Sequence, residues 1–128
     1  MTPSGRGSAG AGVTAVIAAH NETANIEACV ASVDWANEVI VVENDSADDT
    51  ADRARSAGAT VITPPFTTIG AARNQAIVRA KTAWIFVLDA DERCTPELAS
   101  EIQQTVRTTR NSAFRVPRRN FFLGRQIN

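Results

Sequence analysis

The chain has 128 residues, of which 44% are hydrophobic and 21% charged, and its net charge is -1. A domain of this size buries roughly two thirds of the surface its unfolded chain exposes, so a substantial core is available. The composition excludes a disordered, fibrous or membrane-spanning protein, and the near-neutral charge argues against a nucleic-acid binder.

Residues 1–12 read as a small, flexible tail ahead of one folded domain over 13–128. Arg6 followed by AGVTAVIAA has the outline of a secretory signal. The run lacks Leu and Phe, however, and ends in the polar turn His20-Asn21-Glu22, so it suits a first strand over 13–18 better. Ile26, Cys29, Val30 and Val33 then repeat at i, i+3, i+4, i+7, which predicts an amphipathic helix near 23–33. EVIVVE (38–43) is a second strand, apolar in nearly every position, as strands buried on both faces are. Ser46-Ala47-Asp48-Asp49 resembles a capping box with Asp for Glu, opening a helix through Thr50, Ala51 and Ala54 that Gly58 closes. TVIT (60–63) is a third strand, and Ile69, Ala72, Ala76, Ile77 and Ala80 mark a third helix. WIFVL (84–88) is a fourth strand; Thr95 as N-cap and Pro96 at the first helical position then start a helix that buries Leu98, Ile102 and Val106. The final stretch, SAFRVPRRNFFLGRQIN (112–128), begins like a strand and continues as an aromatic, basic tail. No stretch reaches the ~20 apolar residues of a membrane span.

Alternating strands and helices imply a mainly parallel sheet with helices on both faces, joined by right-handed crossovers. Ligands bind such sheets in the crevice outside the carboxyl ends of the strands. The residues just past those ends are His20-Asn21-Glu22, Glu43-Asn44-Asp45, Pro64-Pro65 and Asp89-Ala90-Asp91-Glu92. Carboxylates gathered on one rim raise each other's proton affinity unless a cation offsets them. Asp89 and Asp91 with a third acid, Glu92, supply hard oxygen donors suited to Mg²⁺ or Mn²⁺, ions that leave coordination sites to water and substrate phosphates. That points to a nucleoside diphosphate derivative as substrate. Arg73, behind the Gly70 turn, adds a fixed positive charge for a phosphate or a base carbonyl, and the amino end of the third helix favours the same anion. An Asp-x-Asp pair also opens phosphotransferases of the haloacid dehalogenase type, but there it follows a first strand and precedes Thr. Here it follows the fourth strand, and Arg93 stands in the place of that Thr.

The blocks VIAAHNETANIEACVASV, EVIVVENDSADDT, GAARNQA, WIFVLDADERCTPEL and VPRRNFFLGRQI occur in the order found in family 2 glycosyltransferases of GT-A fold. They most resemble the branch of lipopolysaccharide core β-1,4-glucosyltransferases, and the resemblance covers residues 13 to 128. It implies an inverting, metal-dependent transfer of a hexosyl group, glucose, from a UDP-sugar to a cell-envelope glycan or glycolipid. The resemblance also implies that Asn21 and Glu22 line the nucleotide pocket, that Glu43 contacts uracil or ribose, and that Arg73 contacts the nucleotide beside Asn74. Asp89 is implied at the ribose or metal, Asp91 as the main ligand of Mg²⁺ or Mn²⁺, and Arg118 and Arg119 at the sugar or acceptor. In the second loop Glu43 replaces the family's usual Asp and Asp45 its usual Gly, which lengthens one reach and removes freedom for positive φ. The chain stops just after the PRRNFFLGR block, so the resemblance implies the nucleotide-binding half without the acceptor half and general base. A non-catalytic nucleotide-sugar-binding module is the alternative.

Single residues also have plainer readings. His20, the one histidine, serves as pocket wall or surface, and Arg118 and Arg119 as a solvated basic face. Phe121, Phe122 and Leu123 read as packing, and Trp35 and Trp84 as core or core edge. Cys29 and Cys94 lack CxxC spacing and a histidine partner, which excludes a zinc site and a disulfide scaffold. They fit small apolar fillers in a reducing cytosol, with peripheral contact at the inner membrane face implied by the acceptor.

Overall fold

The structure, a computed structural model, describes residues 12–43, 48–63, 69–108, 113–115 and 122–125, with some side chains at the last three segments left out. The elements in chain order are β1 (Val13–Ala19), α1 (Ile26–Ser32), β2 (Glu38–Glu43), α2 (Thr50–Ser56), β3 (Thr60–Ile62), α3 (Ile69–Arg79), β4 (Trp84–Asp89), α4 (Pro96–Thr108), β5 (Ala113–Arg115) and β6 (Phe122–Arg125). They form one six-stranded sheet in the order β3-β2-β1-β4-β6-β5. β3, β2, β1 and β4 run parallel; β6 pairs antiparallel with β4, and β5 antiparallel with β6.

Alternate residues of a strand face opposite sides of its sheet, and the two cores follow that period. Val13, Ala15, Ile17 and Ala19 of β1, with Trp84, Phe86 and Leu88 of β4, pack against Ile26, Cys29 and Val30 of α1, Ala54 of α2, and Leu98, Ile102 and Val106 of α4. Val16, Ile40, Val42, Ile62, Ile85 and Val87 face the other way, onto Ala76, Ile77 and Ala80 of α3. Trp35 stacks at a tilt on Phe86, ring centroids 6.2 Å apart. Full burial of Trp84 and Phe86 makes them the costliest side chains to truncate, about 3–5 kcal/mol each.

Four local differences from the sequence reading have physical causes. The first helix begins at Ile26 rather than near 23, because Glu22 C=O already accepts from the amides of Asn25 and Ile26 in a preceding turn. At α2 the N-cap position is Asp49, while Asp48 supplies the carboxylate that accepts from the Thr50 amide at 3.1 Å; Ser46, expected there, lies outside the described residues. Phe122–Arg125, read as tail, is instead strand β6, which seats Leu123 opposite Phe86 and buries it. Gly12, assigned to the flexible tail, belongs to the fold: its C=O accepts from the Trp84 amide at 3.0 Å, and a Cβ there would meet Thr82 Cγ2 at 3.2 Å. Gly58 ends α2 with φ 106, and Thr95 Oγ1 caps α4 through the Leu98 amide at 3.1 Å, both as the sequence predicts. Among the described residues no helix is long and apolar enough to cross a membrane.

Candidate functional site at the carboxyl end of the sheet

The parallel register aligns three strand ends. Ala19 of β1 stands beside Glu43 of β2, and Ala18 beside Asp89 of β4. A cleft of about 320 Å³ opens there, lined by Ala18, Ala19, His20, Glu22, Asp89, Ala90 and Asp91. Ala18 and Ala19, at the end of β1, contribute to its lining. The structure therefore brings Glu22, Asp89 and Asp91 together, with His20 on the wall.

Each side of the cleft has its own scaffold. Past β4 the amide of Ala90 still donates to Ala18 C=O at 3.0 Å, and a tight turn then closes with Glu92 N–H on Asp89 C=O at 2.9 Å. This turn leaves Asp89 half-buried and Asp91 exposed. Past β1, Asn21 adopts φ 53, the left-handed region that Asn tolerates better than most residues. Its amide group lies 3.2 Å from His20 Nε2. The Glu22 amide donates to buried Thr50 Oγ1 at 3.0 Å, and that hydroxyl donates to Asp48. Thr23 Oγ1 donates to Asp49 at 3.0 Å. The Thr50 hydroxyl holds the Asp48 carboxyl below the usual carboxylate range, and Thr23 does the same for Asp49. The loop after β1 is thus fixed to the start of α2, a connection with no periodic signal in the sequence.

Beneath the β4 turn lies Cys29. Its thiol donates to Asp89 C=O at 3.6 Å, and burial pushes its pKa up to about 12, against the opposing pull of the Arg93 guanidinium. Ser32 Oγ donates to Cys29 C=O at 2.7 Å and accepts from the Cys94 amide at 3.1 Å. Both cysteines are buried, and no disulfide joins them.

Glu43 stands beside Ala19 at the same rim but is not among the residues that line this cleft. Glu43 is only 5% exposed, and its Oε1 accepts from Thr63 Oγ1 at 3.3 Å, past the end of β3. Arg73 lies one turn into α3, with its side chain outside the description, and Arg118 and Arg119 lie outside the described residues altogether. Glu92, taken as a third acid of the metal set, is not gathered with Asp89 and Asp91: among the described residues no three His, Cys, Asp or Glu side chains form such a group. Asp89 and Asp91 alone still suit a hard divalent ion, since such sites use one or two carboxylates and complete the shell with water and phosphate oxygens.

Residues 14–126 match the profile of Glycosyl transferase family 2. An uncharacterized glycosyltransferase of Rickettsia bellii is 39% identical over 92 residues, covering 71% of this chain and 31% of that protein. One of Mycobacterium tuberculosis is 33% identical over 100 residues, covering 75% of this chain and 46% of that protein. Among solved structures, glucosyl-3-phosphoglycerate synthase of Mycobacterium tuberculosis in complex with UDP superposes with a TM-score of 0.57 at 28% identity, over 65% of this chain and 35% of that one. The same enzyme with Mn²⁺, UDP-glucose and glycerol 3-phosphate gives 0.56 at 26% identity, over 62% and 33%. The chain thus spans between about a third and a half of the length of these relatives. Its fold is the GT-A-type α/β arrangement of these structures, and by the match over nearly its whole length the chain belongs to glycosyl transferase family 2.

Proposed function

We propose that the chain is the donor-binding part of an inverting glycosyltransferase that moves a hexosyl group, glucose, from a UDP-sugar to a cell-envelope glycan or glycolipid. The observation that carries this reading is the placement of Asp89 and Asp91 beside the end of β1, at the mouth of one cleft, in a chain of this family. The related synthase binds UDP with Mn²⁺ or with Mg²⁺, which supports the same two ions here. A metal at Asp91 and Asp89 would offset the charge growing on the departing diphosphate. The chain's own groups then divide the remaining work. Exposed Asp91 offers carboxylate oxygens from a turn that is already closed, and half-buried Asp89 is oriented by the β4 ladder. Asn21 and Glu22 border the nucleotide. Glu43, Arg73, Arg118 and Arg119 keep the roles that the family resemblance implies for them, at the base or ribose, the nucleotide and the sugar or acceptor. The narrower branch, lipopolysaccharide core glucosylation in the cytosol at the inner membrane face, is supported by the DADER and PRRNFFLGR blocks.

The test has two stages. Calorimetry of the chain with UDP, with and without Mn²⁺, is expected to show metal-dependent binding, and its absence sinks the reading. Incubation with radiolabelled UDP-sugars and extracted envelope glycolipids is expected to label the lipid from UDP-glucose, with the new linkage of inverted anomeric configuration by NMR. Tight binding without any transfer identifies a nucleotide-sugar-binding module instead.

A further inference from the structure

The donor reading leaves Arg93 of the DADER run without a role. Arg93 Nη1 donates to the carbonyls of Ala90 at 3.2 Å and Glu92 at 2.9 Å, and its Nη2 donates to Asn25 Oδ1 at 3.0 Å. Asn25 Nδ2 in turn donates to Glu22 Oε1 at 3.1 Å, and the Asn25 amide to Glu22 C=O at 2.9 Å. Asn25 occupies the N-cap position of α1, yet its side chain makes no capping bond there; its two polar atoms go to Arg93 and Glu22 instead. One guanidinium therefore ties the turn that carries Asp89 and Asp91 to the loop that carries Glu22, across the two sides of a single cleft.

We propose that Arg93, acting through Asn25, is the positioning residue that presets this cleft for metal and nucleotide, a role that rests on the donor-site reading above. The fork holds two carbonyls of the turn and the Asn25 side chain at once, so the turn is fixed before any ligand arrives. Ligand binding then avoids the cost of ordering two loops. A lysine keeps the charge but cannot span three acceptors in one plane.

The test compares the parent chain with Arg93→Lys, Asn25→Ala and the double variant, titrated with UDP with and without Mn²⁺ below the thermal transition of every protein. Loss of an outer partner of a metal-binding group weakens affinity about tenfold, and that loss is expected in Arg93→Lys with Mn²⁺. A smaller loss is expected without metal. The double variant is expected to be no weaker than the weaker single, because the two residues form one bridge. Parent-like affinity in Arg93→Lys, equal losses with and without Mn²⁺, or losses that multiply in the double variant each overturn the proposal. A parent chain that does not bind UDP with Mn²⁺ refutes the donor-site reading and Arg93's role with it. A parent that binds beside variants that bind equally well refutes the role alone.

Discussion

The two ends of the parallel sheet use polar side chains for opposite ends. At the amino end, the Val13 amide donates to Asn37 Oδ1 at 3.0 Å, and buried Thr14 Oγ1 donates to Glu38 Oε1 at 3.0 Å while lying 2.8 Å from Thr82 Oγ1. The Lys81 amide donates to the same Glu38 oxygen at 3.3 Å. These groups satisfy one another, although Asn37 and Glu38 also line a cleft of about 310 Å³ beside α2. At the carboxyl end the polar groups surround a cleft and present exposed Asp91 to it. Hydrogen-bonding capacity turned inward holds the sheet; the same capacity turned toward a cleft is available to a ligand.

Substitutions at the two ends should therefore separate binding from stability. The largest effect is expected for Asp91→Ala: loss of Mn²⁺-dependent UDP affinity by at least about a hundredfold, or about 2.8 kcal/mol, with an unchanged urea midpoint because the residue is exposed. Unchanged metal-dependent affinity would mean that the turn is structural. Thr14→Val should do the reverse. Removing a buried donor leaves partners unsatisfied at a cost of about 1–3 kcal/mol in urea denaturation, while UDP affinity stays at the parent value; a binding defect there would erase the distinction between the ends. Thr95→Ala removes the α4 cap behind the site and should cost about 1 kcal/mol, seen as faster amide exchange in the first turn of α4.

The effect that is smallest at neutral pH concerns Cys29. Its thiol pKa is raised from 9.0 to about 12 in the folded chain. The unfolded chain therefore loses this proton first as pH rises, so the contribution to stability is complete below about pH 9 and is lost progressively between 9 and 12. Alkylation of folded chain at pH 8 is expected to leave Cys29 unmodified; rapid labelling without unfolding would show that the support beneath Asp89 is open.

Much of this was legible in the sequence because it depends on local pattern. The four parallel strands, the Thr95-Pro96 helix start, Gly58 and the rim position of Asp89 and Asp91 follow from periodicity, capping chemistry and the rule for parallel sheets. The latches were not legible. Thr50 beneath Glu22, Ser32 between Cys29 and Cys94, and Arg93 across to Asn25 depend on contacts between segments far apart in the chain. The β6 strand was missed for a similar reason: FLGR carries no alternation strong enough to mark a strand, and its place is set by β4. Nor does the spacing of the DADER run reveal that Arg93, two residues after Asp91, folds back onto the carbonyls of Ala90 and Glu92.

The central place of β1 has a consequence during synthesis. All seven of its residues are buried, yet one of its two ladders is with β4, where Val13 meets Trp84. A ribosome adding about 5–20 residues per second leaves this buried, mostly apolar strand half-paired for on the order of several seconds. The nascent chain therefore carries an aggregation-prone edge until Trp84–Asp89 emerges, and the yield of folded protein should depend on how well chaperones cover Val13–Ala19 in that interval.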